Sequence, residues 1–143
     1  MVCGDVVCLY ERARLRDRLN GRREHEVRGD LHQIGVDAVI TSRSQLVAAG
    51  RAEGLVTIQR LLLVDDSALE TGVRTIARAA PDFIEVLPGI IFPDVASILQ
   101  QLLPGPFIAG GFIRDSTEVV RIQSAGAVLS SSSSYKLWYN TSR

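Results

Sequence analysis

The strongest constraint on the fold is a repeat of apolar runs and helical segments that begins near residue 36. Five apolar runs start near residues 36, 56, 82, 106 and 127, and a segment that can form a helix follows each one. The runs lack strict polar alternation, which is typical of strands covered on both faces. Strands that alternate with helices in this way predict an α/β fold with a parallel sheet.

The same repeat fits two architectures. Only about 108 residues, 36 to 143, carry the pattern, whereas a complete eight-unit TIM barrel usually runs to about 250 residues. The periodic part of the chain is therefore either an open five-stranded sheet or about the last five βα units of a barrel. In either case the edge of the first strand, residues 36–40, is expected to lack a partner, which favours self-association as a homo-oligomer.

Two of the helices carry signals of their own. Ser67 and Glu70 have the spacing of a capping box, so the second helix is expected to begin at Ser67. The third helix is expected to have Pro93 in its first turn. Its spacing predicts a buried stripe made of Val95, Ile98, Leu99 and Leu102.

Composition excludes several classes of protein. Apolar residues make up 46% of the chain and charged residues 22%, which is typical of a globular domain rather than a disordered or fibrous chain. No stretch approaches the roughly 18 consecutive apolar residues of a membrane span, and the first residues lack the basic region of a signal peptide. We therefore expect a cytoplasmic domain without a membrane partner. Sixteen basic residues balance sixteen acidic ones, so net charge does not indicate a nucleic-acid partner.

Residues 1–33 differ in composition from residues 34–143, which form the predicted domain. The first thirty residues contain seven arginines and six acidic residues, and few aliphatic residues follow Tyr10. This segment is either a solvated helix or arm, or an arginine-rich arm that folds on RNA. The interleaved acidic residues nearly cancel its charge and favour the first interpretation.

Metal sites and histidine catalysis find no support in the sequence. Cys3 and Cys8 are too few for a disulfide framework or a four-ligand zinc site. His25 and His32 both precede the first confident strand, so no Ser-His-Asp arrangement is recognisable. We expect no metal, no cofactor and no catalytic residue of these kinds.

A phosphate site is predicted where the last two strands end. Ligands of parallel α/β folds bind at the carboxyl ends of the strands, and barrels commonly bind phosphate in the loops after their last two strands. Glycines there let a phosphate approach the backbone. The predicted phosphate ligands are Gly110, Gly111, Arg114, Ser130, Ser131 and Ser132. The alternatives are a tight turn for the two glycines and a linker for the serine run.

Glu85 is the acidic residue most suited to a site inside the sheet. It alternates with Phe83 and Leu87, while Ile84 and Val86 share the other face, which helices must cover. Glu85 is therefore expected to point away from the helices. Three roles stay open for it: a catalytic base, an acceptor for a ligand hydroxyl, or an ion-pair partner for Arg60.

Further polar residues lie near other strand ends. Thr41, Ser42 and Arg60 are predicted to contact the non-phosphate part of a ligand, together with Glu85. Arg43 and Arg114 are candidates for RNA contacts, because arginines near strand ends offer charge to an anion.

Several segments resemble the glycerol-3-phosphate-responsive antiterminators. They are TSR at 41–43, IQR at 58–60, DSALE at 66–70, PDFIEVLPG at 81–89, IAGGFIR at 108–114, AGA at 125–127 and LW at 137–138. The resemblance covers about residues 34–138, and the segment at 81–89 is specific. It implies a cytoplasmic, TIM-barrel-like regulator that binds glycerol 3-phosphate as effector and then leader mRNA, preventing premature termination of transcription of the glycerol uptake operon.

The resemblance also bears on the N-terminal part and on the competing function. Members of that family carry about three further βα units, which residues 1–33 do not resemble beyond Asp30 and Leu31. The implied fold is thus a barrel whose N-terminal units are missing or replaced. The alternative function is a phosphate-binding barrel enzyme that acts on a small phosphorylated substrate, since a fold alone does not decide activity. Asp65 and Glu85 keep that alternative open.

Overall fold

Strands and helices alternate along the chain, as the repeat predicts. The computed structural model describes residues 2–3, 6–7 and 38–139. The strands in these ranges are β1 (Val2–Cys3), β2 (Val6–Val7), β3 (Ala38–Thr41), β4 (Val56–Leu62), β5 (Phe83–Leu87), β6 (Phe107–Gly110) and β7 (Leu129–Ser131). The helices are α1 (Ser44–Ala52), α2 (Asp66–Ala79), α3 (Phe92–Leu102), α4 (Ser116–Ser124) and α5 (Tyr135–Tyr139), and a 3₁₀ turn (Gly89–Ile91) leads into α3.

The strands form one sheet in the order β1-β2-β7-β6-β5-β4-β3. The five strands from β3 to β7 are parallel, and each pairs with the next one along the chain. Strand β2 pairs parallel to β7, and β1 pairs antiparallel to β2. This arrangement confirms the α/β fold with a five-stranded parallel sheet and agrees with a TIM-barrel-like fold. In the described part of the chain β3 pairs with β4 alone, and self-association through its other edge stays a prediction.

The main apolar core lies between the sheet and the helices that cover it. Ile84 and Val86 of β5 are buried there against Phe92, Leu99 and their neighbours. Burying a large aliphatic or aromatic side chain contributes about 1.5–3 kcal/mol. The core therefore fixes which face of each strand looks away from the helices, and that second face carries the polar residues described below.

Helix α2 begins one residue earlier than the capping-box spacing predicts. The Asp65 side chain accepts a hydrogen bond from the Ala68 N–H at 2.7 Å, so Asp65 is the N-cap residue and Ser67 lies inside the first turn. The predicted role of Ser67 is wrong because an aspartate two residues upstream reaches the same kind of orphan N–H group.

The predicted stripe of α3 is partly wrong. Ile98 and Leu102 are 43% and 47% exposed. The buried side chains lie at Phe92, Ala96, Leu99 and Leu103. The helix begins at Phe92, whose ring packs 5.8 Å from that of Phe107, measured between centroids. This buried ring sets the phase of the helix, and the 3.6-residue period then turns Ile98 and Leu102 outward.

Candidate functional site

Glu85 lies in a buried polar cluster on the face of the sheet that looks away from the helices. Its neighbours Ile84 and Val86 belong to the helix-side core, and successive side chains of a strand point to opposite faces. The Arg60 Nε donates to Glu85 Oε2 at 2.7 Å, and the Ser131 Oγ donates to Oε1 at 2.8 Å. The ion pair with Arg60, one of the three roles left open by the sequence, is present in the structure.

Gly110 makes room for this cluster. It sits beside Ser131 in the register of β6 and β7, and a Cβ atom at Gly110 would overlap both the Ser131 Oγ and the Glu85 Oε1. The absence of a side chain at this position therefore lets Ser131 reach Glu85 across β6. Gly110 is a packing requirement of the polar cluster.

One donor of the cluster has no acceptor. The Arg60 Nη2 is buried and makes no hydrogen bond within the described part of the chain. Buried polar groups without a partner are rare, because leaving one unsatisfied costs about 1–3 kcal/mol. The free donor next to Glu85 is suited to a hydroxyl or an anionic oxygen.

A cavity of about 380 Å³ opens between the loops that follow β6 and β7. Its walls are Gly111, Phe112, Ile113 and Arg114 from the first loop and Ser132, Ser133 and Ser134 from the second. Gly111 has a φ of +89°, a backbone conformation that glycine adopts readily and other residues rarely do. The cavity thus offers exposed backbone, hydroxyl groups and one guanidinium group at the carboxyl ends of two adjacent parallel strands.

Hydrogen bonds tie the two loops together. The Ser132 Oγ donates to the Ile113 carbonyl at 2.8 Å and accepts from the Ser134 N–H at 3.1 Å. The start of α4 is held by Asp115, whose Oδ1 accepts from the Glu118 N–H at 2.9 Å. Ser132 thus connects the loop after β7 to the loop after β6.

The chain matches known proteins over most of its length. Residues 22–138 match the family model described as glycerol-3-phosphate responsive antiterminator. The chain belongs to this family. The match begins at residue 22, ahead of the predicted domain start at residue 34, and that boundary stays a prediction because it lies outside the described residues.

Two solved structures are similar to this antiterminator family member. A glycerol uptake operon antiterminator regulatory protein from Listeria monocytogenes superposes with a TM-score of 0.77 and 34% identity, covering 85% of this chain and 66% of that one. A glycerol uptake operon antiterminator-related protein from Thermotoga maritima superposes with a TM-score of 0.69 and 27% identity, covering 79% and 63%. The uncharacterised protein YgcP of Escherichia coli is 32% identical over 102 residues, which is 71% of this chain. The chain spans about half, 53%, of the length of YgcP.

The structure brings only some of the predicted phosphate ligands to the cavity. Gly111, Arg114 and Ser132 line it, whereas Gly110 and Ser131 belong to the polar cluster beside it. Ser130 is fully buried and pairs in register with Ala109, whose side chain lies in the helix-side core. The Ser130 side chain therefore faces the helices, because side chains alternate along a strand, and its predicted contact with a phosphate stays a prediction.

The predicted contacts at the end of β3 lie elsewhere. Thr41 is buried and its hydroxyl accepts from the Arg43 N–H at 3.0 Å, while Ser42 and Arg43 are exposed. Three strands separate β3 from β7 in the sheet. Thr41 and Ser42 are not among the residues that line the cavity, and their ligand role stays a prediction.

The sequence missed four residues that line the cavity. Ser133 and Ser134 belong to the serine run, of which the prediction included only Ser130, Ser131 and Ser132. The hydrogen bonds of Ser132 depend on the geometry of the two loops, which the sequence does not predict. Phe112 and Ile113 follow the glycine pair directly, and Ile113 is buried while Phe112 is 66% exposed. Proximity to the glycine pair was the only available signal for these two residues.

Both acidic residues considered for catalysis accept hydrogen bonds within the protein. Asp65, an alternative catalytic residue, caps α2, and both oxygens of Glu85 accept hydrogen bonds. Among the described residues no group of three or more His, Cys, Asp and Glu side chains could hold a metal ion. No helix in the described ranges is long and apolar enough to cross a membrane.

Asp82 is the described carboxyl group whose pKa is clearly shifted, and it lies at the opposite end of the sheet. The Asp82 Oδ2 accepts from the Thr57 N–H and the Thr57 Oγ, both at 2.8 Å. These two hydrogen bonds lower the pKa of Asp82, with a further contribution from the positive charge of Arg51. Asp82 precedes β5, so this interaction stabilises the amino ends of β4 and β5 and not the cavity.

Proposed function

We propose that this protein is a transcription antiterminator that binds glycerol 3-phosphate between the loops after β6 and β7 and, with this effector bound, binds leader mRNA of glycerol uptake genes. Membership of the antiterminator family supports the regulatory role. The single observation that carries the ligand assignment is the cavity lined by Gly111, Arg114 and Ser132–Ser134.

The chemistry of the cavity suits a phosphoryl group. A phosphate accepts hydrogen bonds from backbone N–H groups, hydroxyl groups and guanidinium, and charge-assisted bonds are about twice as strong as neutral ones. Gly111 allows close approach to the backbone, and Ser133 adds an exposed hydroxyl. Arg114 is exposed at the mouth, where its planar guanidinium can grip two phosphate oxygens at once.

The polar cluster suits the glycerol part of the same ligand. Gly110 precedes Gly111, and Ser131 precedes Ser132, so the cluster borders the cavity along both strands. A glycerol hydroxyl that accepts from the Arg60 Nη2 would satisfy the buried donor. Glu85 is held beside it by Arg60 and Ser131 and offers remaining lone pairs to a hydroxyl donor. Selection of glycerol 3-phosphate over inorganic phosphate would come from these contacts.

The test is binding of a fluorescent leader RNA from a glycerol uptake operon, followed by fluorescence anisotropy. We expect tight binding with glycerol 3-phosphate, weaker binding without it, and an affinity that falls as salt rises, because phosphate contacts release counterions. ³¹P NMR of the same mixture should show glycerol 3-phosphate unchanged. Turnover of the ligand without RNA binding would contradict the proposal and favour an enzyme that acts on a small phosphorylated substrate.

A matched pair of variants locates the effector site. Arg114→Gln should weaken the response to glycerol 3-phosphate, because it removes the charge at the cavity mouth. Arg121→Gln removes another exposed arginine, on α4, and should leave the response unchanged. Equal loss in both variants would indicate a non-specific effect of charge and would contradict the assignment of the cavity.

A further inference from the structure

Two exposed aromatic residues belong to the segments around the cavity: Phe112 lines it, and Tyr135 directly follows Ser134, which lines it. Phe112 in the loop after β6 is 66% exposed, and Tyr135 at the start of α5 is 60% exposed. The other three phenylalanines are buried or half-buried, as Phe92 and Phe107 in the core illustrate. Among the four phenylalanines of the chain, Phe112 alone is largely exposed.

The backbone of Phe112 is held in an unfavourable conformation. Its φ is +60°, which is rare for a bulky residue. The next residue, Ile113, is 4% exposed and packs in the core, and the turn that buries Ile113 directs Phe112 outward. Strained residues of this kind concentrate at functional sites. A glycine at this position would relieve the strain, so a phenylalanine here points to a use for its ring.

A cation accompanies each ring. Arg114 lies two residues after Phe112, and Lys136, the sole lysine of the chain, follows Tyr135. Both side chains are exposed. The nearby carboxyl groups are held by the start of α4: Asp115 accepts from the Glu118 N–H, and the Glu118 Oε2 accepts from the Arg114 N–H at 2.6 Å. The rim thus combines flat apolar surfaces with one guanidinium and one ammonium group, and the carboxylates of Asp115 and Glu118 lie close to Arg114 at the start of α4.

We propose that Phe112, Arg114, Tyr135 and Lys136, here called the aromatic rim, form the surface that binds single-stranded RNA. The bases would stack on the two rings and the phosphates would contact the two cations. This inference rests on the proposed function, which includes RNA binding but does not say where RNA binds. Stacking needs bases that are not already paired, so the rim suits loops and single strands rather than duplexes.

The position of the rim links RNA binding to the effector. Phe112 and Arg114 line the cavity themselves, and Tyr135 directly follows Ser134, which also lines it. The Ser132 hydroxyl bridges the two loops. A ligand that occupies the cavity would fix the separation of the two rings, and the affinity for RNA would depend on glycerol 3-phosphate for this reason.

The experiment uses the full chain with saturating glycerol 3-phosphate and a fluorescein-labelled, unstructured RNA of about 12 nucleotides, a length within the range of single-strand site sizes. Phe112→Gly and Tyr135→Ser should each weaken binding about tenfold, since stacking of one base on an aromatic ring has about that effect. Val120→Ser changes an apolar side chain that is also 60% exposed, on α4, and should bind RNA like the parent protein.

Folding of the variants is checked by thermal unfolding. Phe112→Gly should melt no lower than the parent, because glycine accepts the positive φ, so weaker RNA binding cannot be ascribed to unfolding. Parent-like affinity in both ring variants would overturn the aromatic rim while leaving RNA binding, and hence the proposed function, intact. Equal affinity of the parent for a duplex of the same sequence would also overturn it. Failure of the parent protein to bind any RNA, including the leader, would contradict the proposed function itself.

Discussion

Arg60 and Glu85 form an ion pair across the neighbouring strands β4 and β5, with the Arg60 Nε 2.7 Å from the Glu85 Oε2. The Glu85 side chain is 3% exposed and that of Arg60 is 18% exposed. A carboxylate so deeply buried depends on its partners, because moving a charge out of water costs several kcal/mol. The pair therefore holds together the polar face on which the proposed effector site is built.

Removing Arg60 should destabilise the protein strongly. Arg60→Met leaves Glu85 buried with Ser131 as its remaining described partner, and we expect a loss of about 3 kcal/mol in the free energy of unfolding. Urea denaturation measures this loss. The double variant Arg60→Met/Glu85→Leu should recover much of it, because no buried charge is left unpaired. Arg74→Met, on the exposed side of α2, is the control and should change stability by less than about 0.5 kcal/mol.

Even one methyl group at Gly110 should disturb the cluster. Gly110→Ala places a Cβ against the Ser131 Oγ and the Glu85 Oε1, and we expect a loss of about 1–3 kcal/mol from overpacking. Adding Ser131→Ala removes one of the two overlapping atoms, so the double variant should be more stable than the sum of the single effects predicts. Strictly additive effects in denaturant unfolding would show that Gly110 and Ser131 do not share this space.

The loss of thermal stability at acidic pH should depend on Asp82. Its folded pKa lies below the ordinary value of about 3.9 because of the Thr57 hydrogen bonds. The carboxylate therefore stabilises the fold above about pH 4, and this contribution is lost as the pH falls through the lowered pKa. Asp82→Asn should flatten the decline of the melting temperature between about pH 4 and pH 2. Asp94→Asn, at an exposed position of α3, should keep the decline of the parent protein.

Alternation along strands predicted the face of each residue well. Successive side chains of β5 point to opposite faces of the sheet, so the apolar pair Ile84 and Val86 is enough to place Glu85 on the other face. The pairing with Arg60 was one of three open roles, since the register of β4 against β5 is not encoded locally. The five-fold alternation of strands and helices likewise predicted the parallel sheet.

The details that failed depend on contacts distant in sequence. The serine run has no apolar marker that fixes its phase, so the burial of Ser130 on the helix side could not be foreseen. The function of Gly110 depends on Ser131, which lies 21 residues further along the chain. The predicted stripe of α3 is out of phase because the buried Phe92, one residue ahead of the predicted start, sets the phase of the helix. Phe112 is exposed because its φ is positive, and the sequence pattern does not predict this backbone angle.

The most direct test of the account is the melting temperature of the full chain with glycerol 3-phosphate and, separately, with glycerol. A ligand at about one hundred times its Kd stabilises the folded form by about 2.7 kcal/mol, which should raise the melting temperature of a domain this size by several degrees. We expect this rise with glycerol 3-phosphate and a smaller rise in Arg114→Gln, while glycerol should have no effect because it brings no anion to the cavity. An equal rise with glycerol, or no rise with glycerol 3-phosphate in a folded sample, would contradict the proposed effector site.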